Sequence, residues 1–400
     1  MTTLSPDDIF IAVMGMTGAG KTRFVANCTG QHVAEAQSIE SCTMGLTMHA
    51  ISIPGVKKRV CLIDTPGFDD TNRSDANILQ EIAFWLVKSY ELGVRLSGAI
   101  YLHRITDVRL GGSAVRGLNI FKAICGTNNF HGVTMATTFW DKVDDFDKAS
   151  EDQRQLLETS SFWKDLVDGK CTMRPLTAGK SSAIELVTAI AHSNKRLVLN
   201  MQHQLVEEGL RIYQTDAGKV LQESWFQEKS DLHVKLAETR KELTASMLAD
   251  EADRQHELQL HYDGLSKKIV RRNAAMQELS QPTETITDAW TEKALEMLEL
   301  RKSQCEDVTL RLEQAMDLLQ QTPSYSSEQL EQQELVGDLF AEQVADRLKS
   351  IEIASYSLKL TKAALGTAVV SGMAGIVSAG AGVVSAGVAL APVLVACNVM

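Results

Sequence analysis

The chain has 400 residues, enough for two or three domains, and its 51 acidic against 40 basic side chains give a net charge of −11. An apolar content of 44% excludes wholesale disorder, and the acidic balance argues against a nucleic-acid-binding scaffold, because phosphate contacts need a basic face. The seven cysteines form no CxxC pair, which removes zinc ribbons and disulfide frameworks, and the first residues lack a basic-then-apolar leader, so a reducing, cytoplasmic setting is expected.

The charge is unevenly spread. Residues 1–200 hold 21 acidic and 21 basic side chains, whereas residues 201–400 hold 30 and 19, so the whole surplus lies in the second half. The final 38 residues carry no charge at all. Three units are expected: an α/β domain over 1–200, a helical, coiled-coil-like region over 201–362, and an Ala/Gly/Val-rich tail over 363–400.

In chain order, Ile9 to Met14 reads as a buried strand followed by a glycine-rich turn. Met48 to Pro54 and Val60 to Asp64 read as two more strands, and Ala99 to Leu102 and Val133 to Phe139 continue the series. Amphipathic helices are expected at Asn77 to Tyr90, Ala114 to Cys125, Gln153 to Val167 and Ser182 to Leu199. Strands alternating with helices imply a mostly parallel sheet covered on both faces, with ligands at the carboxyl ends of its strands.

The turn after the first strand, Gly15-Met-Thr-Gly-Ala-Gly20-Lys21-Thr22, satisfies GxxxxGK[ST] between a strand and a helix. Its glycines let the backbone wrap phosphates and present N–H groups at a helix N-terminus. Gly15, Thr17, Gly18, Ala19, Gly20, Lys21, Thr22 and Arg23 are the expected contacts, with Lys21 reaching the β- and γ-phosphates and the Thr22 hydroxyl holding Mg²⁺. The strand ending in Leu62-Ile63-Asp64-Thr65-Pro66-Gly67 places Asp64 43 residues beyond Lys21. Asp64 there holds Mg²⁺ through water, and the Gly67 N–H senses the γ-phosphate. A threonine must close over the metal between these motifs. Thr43, in the polar run Ser41-Cys-Thr-Met44, is the choice and Thr47 the alternative. Lys21, Thr43 and Gly67 are thus the candidate catalytic groups, and Thr22, Thr43 and Asp64 the candidate metal ligands.

These motifs, with Ile63-Asp-Thr-Pro-Gly-Phe-Asp-Asp-Thr71, occur in the order seen in septin-like GTPases and resemble those of the immunity-associated AIG-type and chloroplast import-receptor GTPases. Leu96 to Ser113 also resembles a box in a group of fungal G-domain proteins. The resemblance covers roughly residues 8–200. It implies a P-loop G domain that binds GTP and GDP with Mg²⁺, hydrolyses GTP slowly and self-associates.

Two positions depart from the family pattern. Where an Asn/Thr-Lys-x-Asp run reads guanine, the chain has Thr138-Phe139-Trp140-Asp141. Thr138 and Asp141 match, and the Phe139 ring can pack on the base where the lysine stem does. Leaving the Asp141 carboxylate unpaired would disfavour adenine, whereas a purely solvated Asp141 is the other reading. The loop Thr177 to Ala183 resembles the one that touches the base edge. Phe68 stands where Ras-type enzymes carry a water-orienting glutamine. Slow intrinsic hydrolysis, or a residue supplied by a partner, follows from that. His103, Arg104 and Arg109 are the polar candidates nearby. A nucleotide-gated scaffold with negligible turnover and an ATP-using enzyme are the alternatives.

Beyond residue 200 the pattern is helical. Leu236, Leu243 and Met247, then Leu258, Leu265, Ile269, Met276 and Leu279, form a heptad-like stripe. Breaks are expected at 281–283 and 321–327, giving at least three long helices. The stripe fits an intramolecular bundle or a coiled coil between copies. The tail repeats Val-Ser in a seven-residue frame at Ser371, Ser378 and Ser385, among small residues. As one helix its 38 residues would be about 57 Å long, more than the about 30 Å of a bilayer core. A membrane segment, preceded by Arg347, Lys349, Lys359 and Lys362, and a helix or hairpin buried in the bundle are the two readings.

Overall fold

The computed structural model describes residues 7–30, 46–70, 73–91, 93–107, 111–159, 162–177, 179–248, 252–320 and 348. A six-stranded sheet in the order β2-β3-β1-β4-β5-β6 forms its centre. The strands are β1 (Ile9–Gly15), β2 (Thr47–Ile51), β3 (Val60–Asp64), β4 (Leu96–Arg104), β5 (Val133–Thr138) and β6 (Thr172–Pro175). All neighbours are parallel except β2, which runs antiparallel to β3 with Thr47 opposite Asp64.

β1 is central and buried on both faces, as its unbroken apolar sequence requires. Ile9, Ile11 and Val13 point to one side, against Phe24 and Val25 of α1 (Lys21–Thr29) and Leu186, Val187 and Ile190 of α6 (Lys180–Ser193). Phe10, Ala12 and Met14 point to the other, against α2 (Asp75–Glu91) and α3 (Gly112–Cys125). This period-two division is what a doubly covered sheet needs.

The expected helix from Gln153 to Val167 is instead two, α4 (Phe146–Glu158) and α5 (Lys164–Asp168). Asp145 caps α4 by accepting from the Lys148 N–H at 2.9 Å, and the helix ends in a polar Thr-Ser-Ser run. Trp163 then turns fully into the core, with its backbone N–H donating to Leu156 O. The expected helix to Leu199 stops at Ser193. Asn194 adopts a left-handed φ of 46°, and Leu197 goes on to bridge β4 at Leu96. β6 carries no apolar alternation, since Thr172-Met-Arg-Pro175 lies on an exposed sheet edge.

α2 is buried nearly all round, with Gln80, Glu81 and Lys88 buried beside its apolar side chains, which marks a helix covered on every side. The covering layer comes from beyond residue 200. A short helix α7 (Asn200–Gln202) leads into a π-helical turn, His203–Glu207, and the Gln202 amide donates to Leu86 O at 3.1 Å. α8 (Asp216–Leu248) and α9 (Ala252–Leu279) form an antiparallel hairpin. Gln255 Nε2 donates to Ser246 O near the turn, and Arg272 meets Glu228 at 2.8 Å near the base. Leu265, Ile269 and Leu279 are buried along this seam, and Leu258 and Met276 half-buried, so α8 closes the stripe within the chain. Met247, expected on the same stripe, is exposed. Leu221 and Trp225 at the base of α8, and Leu279 of α9, are fully buried in the cluster that holds α2 and α3. Each such apolar side chain contributes about 1.5–3 kcal/mol. Hydrophobic packing therefore runs on across residue 200. α10 (Thr283–Gln320) begins at the expected Pro282 break and buries Trp290 in the same cluster. The break between Leu248 and Ala252 was not expected from the stripe. The 321–327 break and the 363–400 tail lie outside the described residues. Among the described residues no helix is long and apolar enough to cross a membrane.

Candidate functional site

β1 delivers the chain into the glycine loop at the carboxyl end of the sheet. Gly15 has φ 146°, and a Cβ there would lie 2.5 Å from Leu102 O, so only glycine lets β1 pass so close to β4. The loop ends at Gly20, and Lys21 and Thr22 open α1. Lys21 is buried. Its Nζ donates to Gly15 O at 3.1 Å and Met16 O at 2.9 Å, curling over the loop that carries it. Burial brings its pKa down to about 8, against the opposing pull of Asp64 and Asp70.

Asp64 ends β3 beside this lysine. Burial pushes its carboxyl up to about 6, opposed by Lys21 and by a hydrogen bond from the Thr22 side chain. Its Oδ1 is buried and has no hydrogen-bond partner among the described residues. An orphaned carboxylate oxygen next to a threonine hydroxyl suits a hydrated divalent cation, so Thr22 and Asp64 fit Mg²⁺. The third expected ligand, Thr43, lies outside the described residues. Its alternative, Thr47, is a β2 residue whose hydroxyl meets His49 Nε2 at 3.2 Å.

The segment after Asp64 is docked on the glycine loop. Thr65 donates to Val13 O from its hydroxyl, the Thr17 N–H donates to Phe68 O at 3.0 Å, and Thr17 Oγ1 donates to Gly67 O at 3.2 Å. Phe68 is fully buried and packs toward Gly117 of α3 instead of facing the phosphate site. At the water-orienting position the chain thus has a core anchor.

Beside the glycine loop lies a cleft lined by Arg23, Asn27, Phe139, Asp141, Leu176 and Thr177. Phe139 adopts a left-handed φ of 61° and brings its ring against Gly20. Asp141 pairs with Arg23 at 3.4 Å, both half-exposed. Thr138 lies deeper, its hydroxyl donating to Ala19 O at 2.9 Å, so it braces the phosphate loop against β5. The 177–183 loop reaches this cleft through Thr177, Gly179 and Ala183.

Of the three polar candidates after β4, Arg109 lies outside the described residues. Arg104 pairs with Asp107 at 2.9 Å, and its Nη1 lies 3.6 Å from where a Gly18 Cβ would be, over the phosphate loop. His103 is buried edge-on to Trp163, and burial brings its pKa down to about 4. It can serve structure only. Its folded pKa is below the unfolded value of 6.5, so its contribution is present above 6.5 and lost as pH falls toward about 4. His103→Phe is expected to shrink the stability lost between pH 7 and pH 5.5 by about 1 kcal/mol, read by urea denaturation at both pH values. An unchanged pH slope would refute the assignment.

Sequence reasoning missed the second tier. Glu81, fully buried on α2, accepts from the Leu46 N–H at 2.7 Å and pairs with Arg73. It thereby joins the entry to β2 with the entry to α2. Asp75, at the start of α2, looks like an ordinary helix-cap carboxylate in the sequence. Its partners on α3 leave no local signal.

The sheet order, the glycine loop with its lysine, and the Asp64–Gly67 segment give the α/β fold of a P-loop G domain. Residues 10–97 match the profile of the family described as 50S ribosome-binding GTPase. No curated protein sequence matches the chain. Among solved structures it is similar to Toc33 from Arabidopsis thaliana in complex with Mg²⁺ and GMPPNP, at 16% identity and TM-score 0.36, over 48% of this chain and 87% of that one. It is also similar to Cdc11 from Saccharomyces cerevisiae, at 15% identity and TM-score 0.27, over 55% of this chain and 99% of that one. Era from Aquifex aeolicus bound to GDP·AlF4⁻ matches at 15% identity and TM-score 0.32, over 46% of this chain and 56% of that one.

Proposed function

We propose that this chain is a guanine-nucleotide switch of the septin- and AIG-like group, which binds GTP and GDP with Mg²⁺, hydrolyses GTP slowly and couples nucleotide state to self-association. The supporting observation is the convergence of Lys21, Thr22, Asp64 and Gly67 on one loop, with the Asp141 cleft beside it. On binding, Lys21 exchanges the Gly15 and Met16 carbonyls for the β- and γ-phosphate oxygens. The backbone N–H groups from Gly18 to Thr22 hold the β-phosphate. Thr22, Thr43 and Asp64 would hold Mg²⁺, which would supply positive charge beside the transferred phosphoryl group. Asp141 leaves Arg23 to accept from the guanine N–H groups.

Asp141→Ala is expected to weaken GTP binding at least tenfold while leaving ATP binding unchanged, read with mant-nucleotides. Retained GTP preference would sink the base assignment and revive the ATP reading.

The buried Phe68 favours a second reading, in which GTP occupancy gates assembly with negligible turnover. Single-turnover hydrolysis at monomeric and at dimer-forming concentrations separates the two. Multiple turnovers that vanish in Lys21→Ala exclude the scaffold.

We further read 201–362 as the region that uses the nucleotide state, and the 363–400 tail as the membrane contact of a cytoplasmic protein. Full-length protein is expected to float with liposomes and a 1–362 truncation to sediment. Equal flotation removes the anchor.

A further inference from the structure

We propose that Asp75 is a positioning residue for the Asp64–Gly67 segment, and that Arg116, Glu228 and Arg272 tie its position to the helical hairpin, so that the docked hairpin disfavours the triphosphate. The inference rests on the nucleotide reading above and adds its regulation.

The chain of contacts is continuous. Directly after Phe68, Asp69 takes a left-handed φ of 62° and donates its N–H to Asp75 Oδ1 at 2.9 Å. The other oxygen of Asp75 accepts from Arg116 Nε of α3 at 3.0 Å. The same guanidinium reaches Glu228 of α8, and Glu228 also pairs with Arg272 of α9. The Asp75 and Arg116 side chains are only 4% and 9% exposed, so salt screens this link little. One carboxylate therefore holds the Asp69 N–H, two residues beyond the Asp64–Gly67 segment, and, through a single arginine, the base of the hairpin.

The far end of that segment obstructs the γ-phosphate. Phe68 O occupies the Thr17 N–H, Lys21 is engaged by the loop's own carbonyls, and Gly67 leaves no room for a Cβ, which would lie 2.6 Å from Lys21 Nζ. Seating a γ-phosphate moves Gly67 and Phe68 off the loop and pulls Asp69 away from Asp75. A hairpin that fixes Asp75 resists that movement, whereas GDP makes no such demand. By linkage, triphosphate binding loosens the hairpin as much as the hairpin opposes the triphosphate.

The test uses the full chain. Dissociation constants for GMPPNP and GDP are measured for wild type, Arg116→Gln, Glu228→Gln and the double variant, with thermal melts alongside. Each single variant is expected to shift the GMPPNP-to-GDP affinity ratio at least fivefold toward GMPPNP. The double is expected to shift it no further than the larger single, because both cut one chain. A purely structural role lowers the melting temperature and leaves the ratio within twofold. That result, or a shift toward GDP, overturns the proposal alone. Wild type that binds neither nucleotide overturns the guanine-nucleotide reading and this inference with it.

Discussion

Lys21→Ala is expected to weaken GTP binding by about 100-fold or more and to abolish turnover, with apo stability hardly changed. The lysine is held buried over its own loop by Gly15 O and Met16 O, and that burial brings its pKa down to about 8. A lysine pKa lowered on folding makes the charge a cost to the folded apo protein, so its removal takes no stability away. Those two carbonyls border the phosphate site and take water once the side chain is gone. A triphosphate changes the balance, since a buried ammonium between phosphate oxygens makes charge-assisted bonds in a low-dielectric site. A thermal melt separates the two effects. At a GTP concentration about 100 times the wild-type Kd, linkage gives wild type about 2.7 kcal/mol of stabilisation. A variant whose Kd has risen about 100-fold keeps about 0.4 kcal/mol. Equal apo melts with a GTP shift seen only in wild type is the expected pattern. An undiminished shift in Lys21→Ala would show that the nucleotide binds elsewhere.

How legible this site was in the sequence depended on how local its chemistry is. The glycine loop and the Asp64–Gly67 turn were readable because each needs particular residue types at fixed spacing beside a strand end. The strands themselves were readable where both faces are buried, as in Ile9–Gly15 and Val60–Asp64. β6 was missed because an exposed edge strand needs no apolar pattern. The helix expected through Val167 failed because Trp163 satisfies the amphipathic period while belonging to a turn that tucks it into the core. The stripe from Leu258 to Leu279 lies along the contact between α8 and α9. Its partner could not be read, since α8 answers it with a mixed face in which Thr239 and Ser246 are buried alongside the half-buried Leu236. The burial of α2 was the least legible feature of all. Nothing near residues 75–91 announces that helices more than a hundred residues later will cover it, since its amphipathic period allows one solvated face where Gln80, Glu81 and Lys88 are in fact buried.

Gly67→Ala is expected to cut single-turnover GTP hydrolysis by about 100-fold while changing GDP affinity by less than about threefold. A Cβ on Gly67 would lie 2.5 Å from the Thr17 nitrogen, 2.7 Å from Thr17 Cα and 2.6 Å from Lys21 Nζ. Two of these atoms are backbone and cannot rotate aside. The segment must lift, and the bonds from the Thr17 N–H to Phe68 O and from Thr17 Oγ1 to Gly67 O are lost together. Diphosphate binding survives, because the β-phosphate is held by the glycine loop and α1. The Gly67 N–H, however, no longer reaches the γ-phosphate, and removal of one preorganised donor to developing charge typically costs 10²–10³ in rate, i.e. about 2.7–4 kcal/mol. Partial proteolysis adds a second readout, since GMPPNP and GDP should give one cleavage pattern in the variant and two in wild type. The same substitution bears on the hairpin. Once Gly67 has left the loop, Asp69 no longer transmits the pull of the γ-phosphate to Asp75, so adding Glu228→Gln should leave the GMPPNP-to-GDP ratio of Gly67→Ala unmoved. A further shift toward GMPPNP in that double variant would mean that the hairpin acts on the nucleotide by another path.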